Sequence, residues 1–143
     1  MSSFTKQFSD EEMNTALEEL LTPGEHLETA VYCIFKATGF WESNSRVIMG
    51  YAGVTDKQRL LCCKFHYIND ETAVYDMNKL IKLKIKPIIL NQIIITAVFD
   101  NNGKKQTVKL QLAPKVAGGK LPNQERNTEK MLEIFETAQN MLA

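Results

Sequence analysis

Three thiols and two imidazoles are the side chains in this sequence best suited to chemistry: Cys33, Cys62, Cys63, His26 and His66. Thiolates and imidazoles are ordinary zinc ligands, and a cysteine beside a histidine is a nucleophile with its base. Both uses require the side chains to converge. On a strand, Cys62 and His66 share a face but stand four residues apart, with roughly 13 Å between their backbones, and Cys63 faces the other way. Only Cys33, from a neighbouring strand, is left to join them. The spacing therefore speaks against a metal site and for small side chains packed inside a tight barrel. There is no Gly-x-Ser-x-Gly elbow, no phosphate-cradling glycine loop and no paired-carboxylate signature. We expect no catalytic residue, no metal and no cofactor, so the chain reads as a non-enzyme. An odd number of cysteines, two of them adjacent, gives no disulfide framework and fits a reducing, cytoplasmic setting.

Two other groups are suited to binding. Lys82, Lys84 and Lys86 alternate with Ile81, Leu83 and Ile85 in "KLIKLKIK", which places the lysines on one face of a strand. With Lys79 they are the sharpest charged feature, read either as an anion or partner site or as lysines that guard a sheet edge. Phe40 and Trp41, in "TGFWESNS", are adjacent loop aromatics suited to anchoring a protein partner or a membrane interface, or to plugging a barrel mouth.

The elements that must carry these residues follow from periodicity. Ser9-x-x-Glu12 is a capping box, and Met13, Ala16, Leu17, Leu20 and Leu21 continue at helical spacing until Pro23 and Gly24. Short β-branched and aromatic runs follow: "ETAVYCIFKA", "RVIMGYAGV", "RLLCCKFHYI", "TAVYDM", "KLIKLKIK", "QIIITAVF" and "KKQTVKLQLA". "TDKQ", "NDE" and "DNNG" are the turns between them, with Asp56 bonding the backbone of its own turn. Gly50 and Gly53 lie inside a strand, where glycine marks a bend or a close backbone approach. Met131, Ile134, Phe135, Ala138, Met141 and Leu142 form the apolar stripe of a final helix. The periodicity thus predicts one domain over 1–143, with an N-terminal helix at about 9–22, a barrel at about 27–113 and a C-terminal helix at about 124–142.

Charge is balanced but segregated. Residues 1–30 hold one base and seven acids (−6), residues 31–121 fourteen bases and six acids (+8), and residues 122–143 two bases and four acids (−2). The basic middle lacks aromatic interleaving and the net charge is zero, so no nucleic-acid partner is expected. No run of 18 apolar residues suggests a membrane span. The start, "MSSFTKQFSDEEMN", has neither the form of a secretory leader nor the second-position glycine that myristoylation needs.

Two stretches, "LLTPGEHLETAVYC" (Leu20 to Cys33) and "GYAGVTDKQRLL" (Gly50 to Leu61), resemble the pleckstrin-homology-like (PH-like) domains, and more narrowly the small stand-alone bacterial PH-like proteins. In that family a Pro/Gly-Glu turn leads into the first strand. A Gly-x-x-x-Val/Leu-Thr-Asp-x-x-Arg-Leu pattern joins the second and third, met here by Gly50, Val54, Thr55, Asp56, Arg59 and Leu60. The resemblance covers about residues 20–143 and treats the helix before Pro23 as an addition. It implies a curled antiparallel barrel of about seven strands capped by the C-terminal helix. Phosphoinositide-binding PH domains carry a basic row over strands one and two. Lys36 and Arg46 begin such a row, but Ile48 stands at its last basic position, so that ligand is not carried over.

The expected function is a non-catalytic binding or assembly module. Its partner would be another protein or a second copy in a homo-oligomer. The groove between residues 79–86 and the helix at 128–142 is the expected contact, on the analogy of PH-like folds that receive extended peptides. The alternatives are weak peripheral binding to an anionic lipid surface through Lys82, Lys84, Lys86, Phe40 and Trp41, and an enzyme.

Overall fold

The computed structural model describes residues 9–38, 48–64, 72–114 and 121–142. The short helix α1 (Asp10–Glu18) is followed by seven strands: β1 (Leu27–Thr38), β2 (Ile48–Thr55), β3 (Arg59–Lys64), β4 (Thr72–Asp76), β5 (Leu80–Pro87), β6 (Ile93–Asn101) and β7 (Lys104–Leu112). Helix α2 (Gln124–Leu142) ends the chain. The strands form one antiparallel sheet in the order β4-β3-β2-β1-β7-β6-β5. Two meanders, β1–β4 and β5–β7, are thus joined where β1 pairs with β7, from Cys33↔Leu112 to Thr38↔Thr107. This is the expected PH-like curled sheet with a helix at either end of the chain. The turn between β4 and β5 is not a hairpin: a 3₁₀ turn (Met77–Lys79) carries the chain round the corner, leaving both strands as sheet edges.

The inner face of the curl is the main core. Val31, Cys33 and Phe35 of β1, Leu60 and Cys62 of β3, Ile95, Ala97 and Phe99 of β6, and Val108, Leu110 and Leu112 of β7 are all buried there. α2 closes it with Met131 and Phe135. Tyr75 and Phe99 stack at 5.0 Å between ring centres, filling the corner beside the 3₁₀ turn.

A second core lies on the opposite face of the same sheet. "RLLCC" is apolar at successive positions, so β3 must bury both faces. Leu60 and Cys62 face inward, while Leu61 and Cys63 face outward and meet Met13 and Leu17 of α1, with Ala30 and Tyr51. Gly53 makes the approach of α1 feasible: a Cβ there would stand 2.9 Å from Leu27 Cδ2 and 3.1 Å from Leu17 Cδ1. α1 is thus a packed lid on β1–β3 and not an appendage to the barrel. Its start is the expected cap, with Ser9 Oγ accepting from the Glu12 N–H at 3.1 Å.

α2 is anchored by a buried glutamine. Gln124 Nε2 donates to the carbonyls of Tyr32 (2.8 Å) and Ala113 (3.0 Å), and Gln124 Oε1 accepts from the Tyr32 N–H at 3.0 Å. The side chain continues the β1 ladder one residue past the last β1–β7 pair, where Tyr32, paired with Tyr51 on its other side, has no partner from β7. Thr29 Oγ1 donates to the Asn127 carbonyl at 2.9 Å, fixing the first turn of α2 to the same strand.

Candidate functional site

Two constellations stand out, and they differ in kind. The first is a buried ionic cluster built from the sequence motifs themselves. Thr22-Pro23-Gly24-Glu25 forms a tight turn, with the Glu25 N–H bonded to the Thr22 carbonyl at 3.0 Å and Gly24 at φ +80°. That conformation favours glycine. The turn sends the Glu25 side chain inward, where its carboxylate is sealed from solvent. Arg59 grips it in two places, Nη2 on Oε1 at 2.6 Å and Nε on Oε2 at 2.9 Å. Thr55 Oγ1 donates to Oε2, and the Thr22 N–H and hydroxyl donate to Oε1 at 2.8 and 3.0 Å. Arg59 Nη2 also reaches the Leu20 carbonyl at 2.8 Å, which ties in the residues just after α1. The Arg59 guanidinium, helped by those hydroxyl and amide donors, holds the Glu25 carboxyl far below its ordinary range against the opposing effect of burial.

Asp56 has a different task from the one its position suggested. Its Oδ1 accepts the His26 N–H at 2.9 Å, and the Asp56 N–H bonds the His26 carbonyl, so it fastens the start of β1 rather than its own turn. The turn is organised by Thr55 Oγ1, which accepts from the N–H groups of Lys57 (3.2 Å) and Arg59 (3.3 Å). This cluster holds matter together and offers no unengaged reactive group. The Pro/Gly-Glu turn and the Thr-Asp-x-x-Arg pattern are two halves of one structural lock.

The thiols are likewise structural. Cys33 and Cys62 lie in the inner core and Cys63 in the outer one, all fully or nearly fully buried. Burial pushes the Cys33 and Cys62 thiols well above the ordinary range, which suppresses the reactive thiolate. His66 lies outside the described residues. Among those residues, no three His, Cys, Asp or Glu side chains are grouped so as to hold a metal ion.

The second constellation is a surface. Lys82, Lys84 and Lys86 are exposed on the outer face of edge strand β5, as their alternation predicts. Ile81 is 45% exposed, not inward-facing, because the β5–β6 register slips between Leu80 and Lys82 and leaves it as the extra residue of a bulge. The pairing extends the basic face beyond β5. Lys84 stands opposite Thr96, and Thr96 opposite Lys109; the Asp100↔Lys105 pair lies on the same face. Lys109 and Lys105 belong to β7, which is paired on both sides. Protection of an edge therefore accounts for the lysines of β5 but not for those of β7. Half-buried Ile94, Thr96 and Val98 of β6 form the floor between the two lysine strands. Ile89, 79% exposed, stands in the β5–β6 turn three residues after Lys86. Among the described residues, Asp100 is the only acid on this face, and its Oδ1 is engaged by the Gly103 N–H at 2.8 Å. Phe40 and Trp41 lie outside the described residues, so no contact joins them to the lysines.

At the β5 edge the last turns of α2 touch the strand. Gln139 Nε2 donates to the Leu83 carbonyl at 3.2 Å, covering one of the outward-pointing backbone acceptors. Three open clefts flank the barrel: about 310 Å³ beside Arg59, Tyr75 and Asp76, about 580 Å³ between the first half of α2 and Pro114, and about 330 Å³ between the second half of α2 and Met77. None gathers a nucleophile with a base.

Solved structures share the fold. The chain is similar to the hSac2 domain of the human phosphoinositide phosphatase Sac2, with a TM-score of 0.54, 8% identity, and 93% of this chain aligned to 82% of that one. It also aligns with SsgB of Streptomyces coelicolor at a TM-score of 0.39 and 7% identity, over 82% of this chain and 92% of that one. At such identities the likeness to the Sac2 domain shows the fold alone. No protein-family model and no curated protein sequence matches the chain. No described helix is long and apolar enough to cross a membrane.

Proposed function

We propose that the chain is a non-catalytic PH-like module of the stand-alone bacterial type, acting through contacts with another protein or with copies of itself. The observation that carries this reading is the contrast between the faces of one sheet: most of the outer face of β1–β3 is packed under α1, while the outer face of β5–β7 is left open and basic. Buried thiols of raised pKa and a fully engaged Glu25–Arg59 cluster support the absence of catalysis. The β5 edge is a narrower site than the face beside it, because a peptide adding to β5 has to displace Gln139 from Leu83.

A second reading, peripheral binding to an anionic membrane, is favoured by one feature: exposed Ile89 in the turn that follows the lysine strand β5. Co-sedimentation with phosphatidylserine vesicles at low salt separates the two. The protein-contact reading expects no vesicle binding. Salt-sensitive binding that disappears when Lys82, Lys84 and Lys86 become Glu transfers the function to the membrane.

A further inference from the structure

The open basic face has a counterpart elsewhere on the molecule. Glu125, Glu129, Glu133 and Glu136 of α2 are all exposed. At 3.6 residues per turn they fall within about 80° of one another, in a stripe that runs from the flank of the buried Met131 and Phe135 side (Glu125) to the side opposite it (Glu133). Arg126 and Lys130 flank this stripe on one side only. Successive glutamates at i, i+4 and i+8 repel one another, which weakens an isolated helix. Their pitch is about 6 Å along the helix, and that of Lys82, Lys84 and Lys86 is about 6.7 Å along the strand. Three acids can therefore lie along three bases with little slip. Half-buried Leu132 borders the acidic stripe, as half-buried Val98 and Ile94 border the lysines.

We propose that the occupant of the lysine face is a second copy of this chain, whose α2 lies with Glu125, Glu129 and Glu133 along Lys82, Lys84 and Lys86. A membrane would neutralise the lysines and leave the glutamates unanswered, whereas a second copy neutralises both and matches a chain of zero net charge. The contact joins two different surfaces, so it is head-to-tail and continues past the dimer into a ring or a filament. The inference rests on the self-association reading above and names the surfaces that reading requires.

The test is mass by sedimentation velocity and light scattering on the full chain in about 10 mM salt, where the Debye length is about 30 Å. Two variants are compared: Lys82→Gln with Lys84→Gln and Lys86→Gln, and Glu125→Gln with Glu129→Gln and Glu133→Gln. The wild type is expected to grow beyond dimer mass with concentration and to return to monomer in high salt. Each variant alone is expected to stay monomeric. Their equimolar mixture is expected to double in mass and stop, because only one intact pair of surfaces remains. Circular dichroism checks folding, and the single changes Lys84→Gln and Glu129→Gln replace a triple that fails it. Wild-type assembly that both variants retain, or a mixture that stays monomeric, overturns the assigned surfaces and leaves self-association standing. A wild type that is monomeric throughout overturns self-association as well. Monomeric wild type that binds phosphatidylserine vesicles through the three lysines assigns the face to lipid instead.

Discussion

The outer faces of the two meanders share one sheet and one pleat, yet they are finished in opposite ways. Over β1–β3 the outward Ala30, Tyr51, Leu61 and Cys63 are covered by a helix, while Met49 at the far end of β2 stays 47% exposed. Over β5–β7 the outward residues are Lys82, Lys84, Lys86, Lys105 and Lys109 around a strip of Ile94, Thr96 and Val98, and within the described residues nothing covers them. The difference follows from composition. β3 is apolar at successive positions and is buried on both sides, β5 and β7 alternate and are buried on one, and β6, apolar at successive positions, leaves Ile94 and Val98 half-buried between the lysines. The first meander therefore buries most of its outer face under α1, and the second leaves its outer face open and basic.

The comparison breaks most severely at the lock that holds the lid. Replacing Arg59 by Ala leaves the Glu25 carboxylate buried without its partner and should cost about 3–5 kcal/mol in chemical denaturation, whereas Glu25→Ala leaves a guanidinium that reaches solvent and should cost less. Next is the lid's own packing: Leu17→Ala, which empties a fully buried site between α1 and the sheet, should cost about 3 kcal/mol. A result near zero would mean that α1 is an appendage after all. Acid should act through the same lock. The folded carboxyl of Glu25 titrates below its unfolded value of 4.5, so its contribution is fully present above that pH and is lost as the pH falls toward the folded value. A thermal melt followed downward from pH 5 should fall more steeply for the wild type than for a Glu25→Gln variant. The smallest effect belongs to the open face: Lys82→Gln, Lys84→Gln and Lys86→Gln together should change stability by no more than about 0.5 kcal/mol per site. A large loss there would make the lysines structural.

Much of this was legible in the residues. Alternation in "KLIKLKIK" placed the three lysines on one face, the Ser9 box placed the start of α1, and opposite orientation of Cys62 and Cys63 removed them as joint ligands. The double-sided burial of "RLLCC" was also written there as apolar residues at successive positions, but which element covers its outer side was not. Other features were not legible because they depend on pairing between distant segments. The Glu25–Arg59 lock spans 34 residues and the Gln124–Tyr32 clamp 92. Lys109 joins the basic face only through the β5–β6–β7 register, and the bulge that exposes Ile81 is set by β6 and not by β5's own alternation.

The central claim, that the open lysine face is where this protein meets another polypeptide, is tested most directly by a photo-crosslinking side chain placed at Lys84 and, in a second variant, at exposed Thr15 on the lid. The account predicts concentration-dependent polypeptide crosslinks from position 84 and few from position 15. Equal yields from the two positions, or crosslinks at 84 to lipid alone, would contradict it.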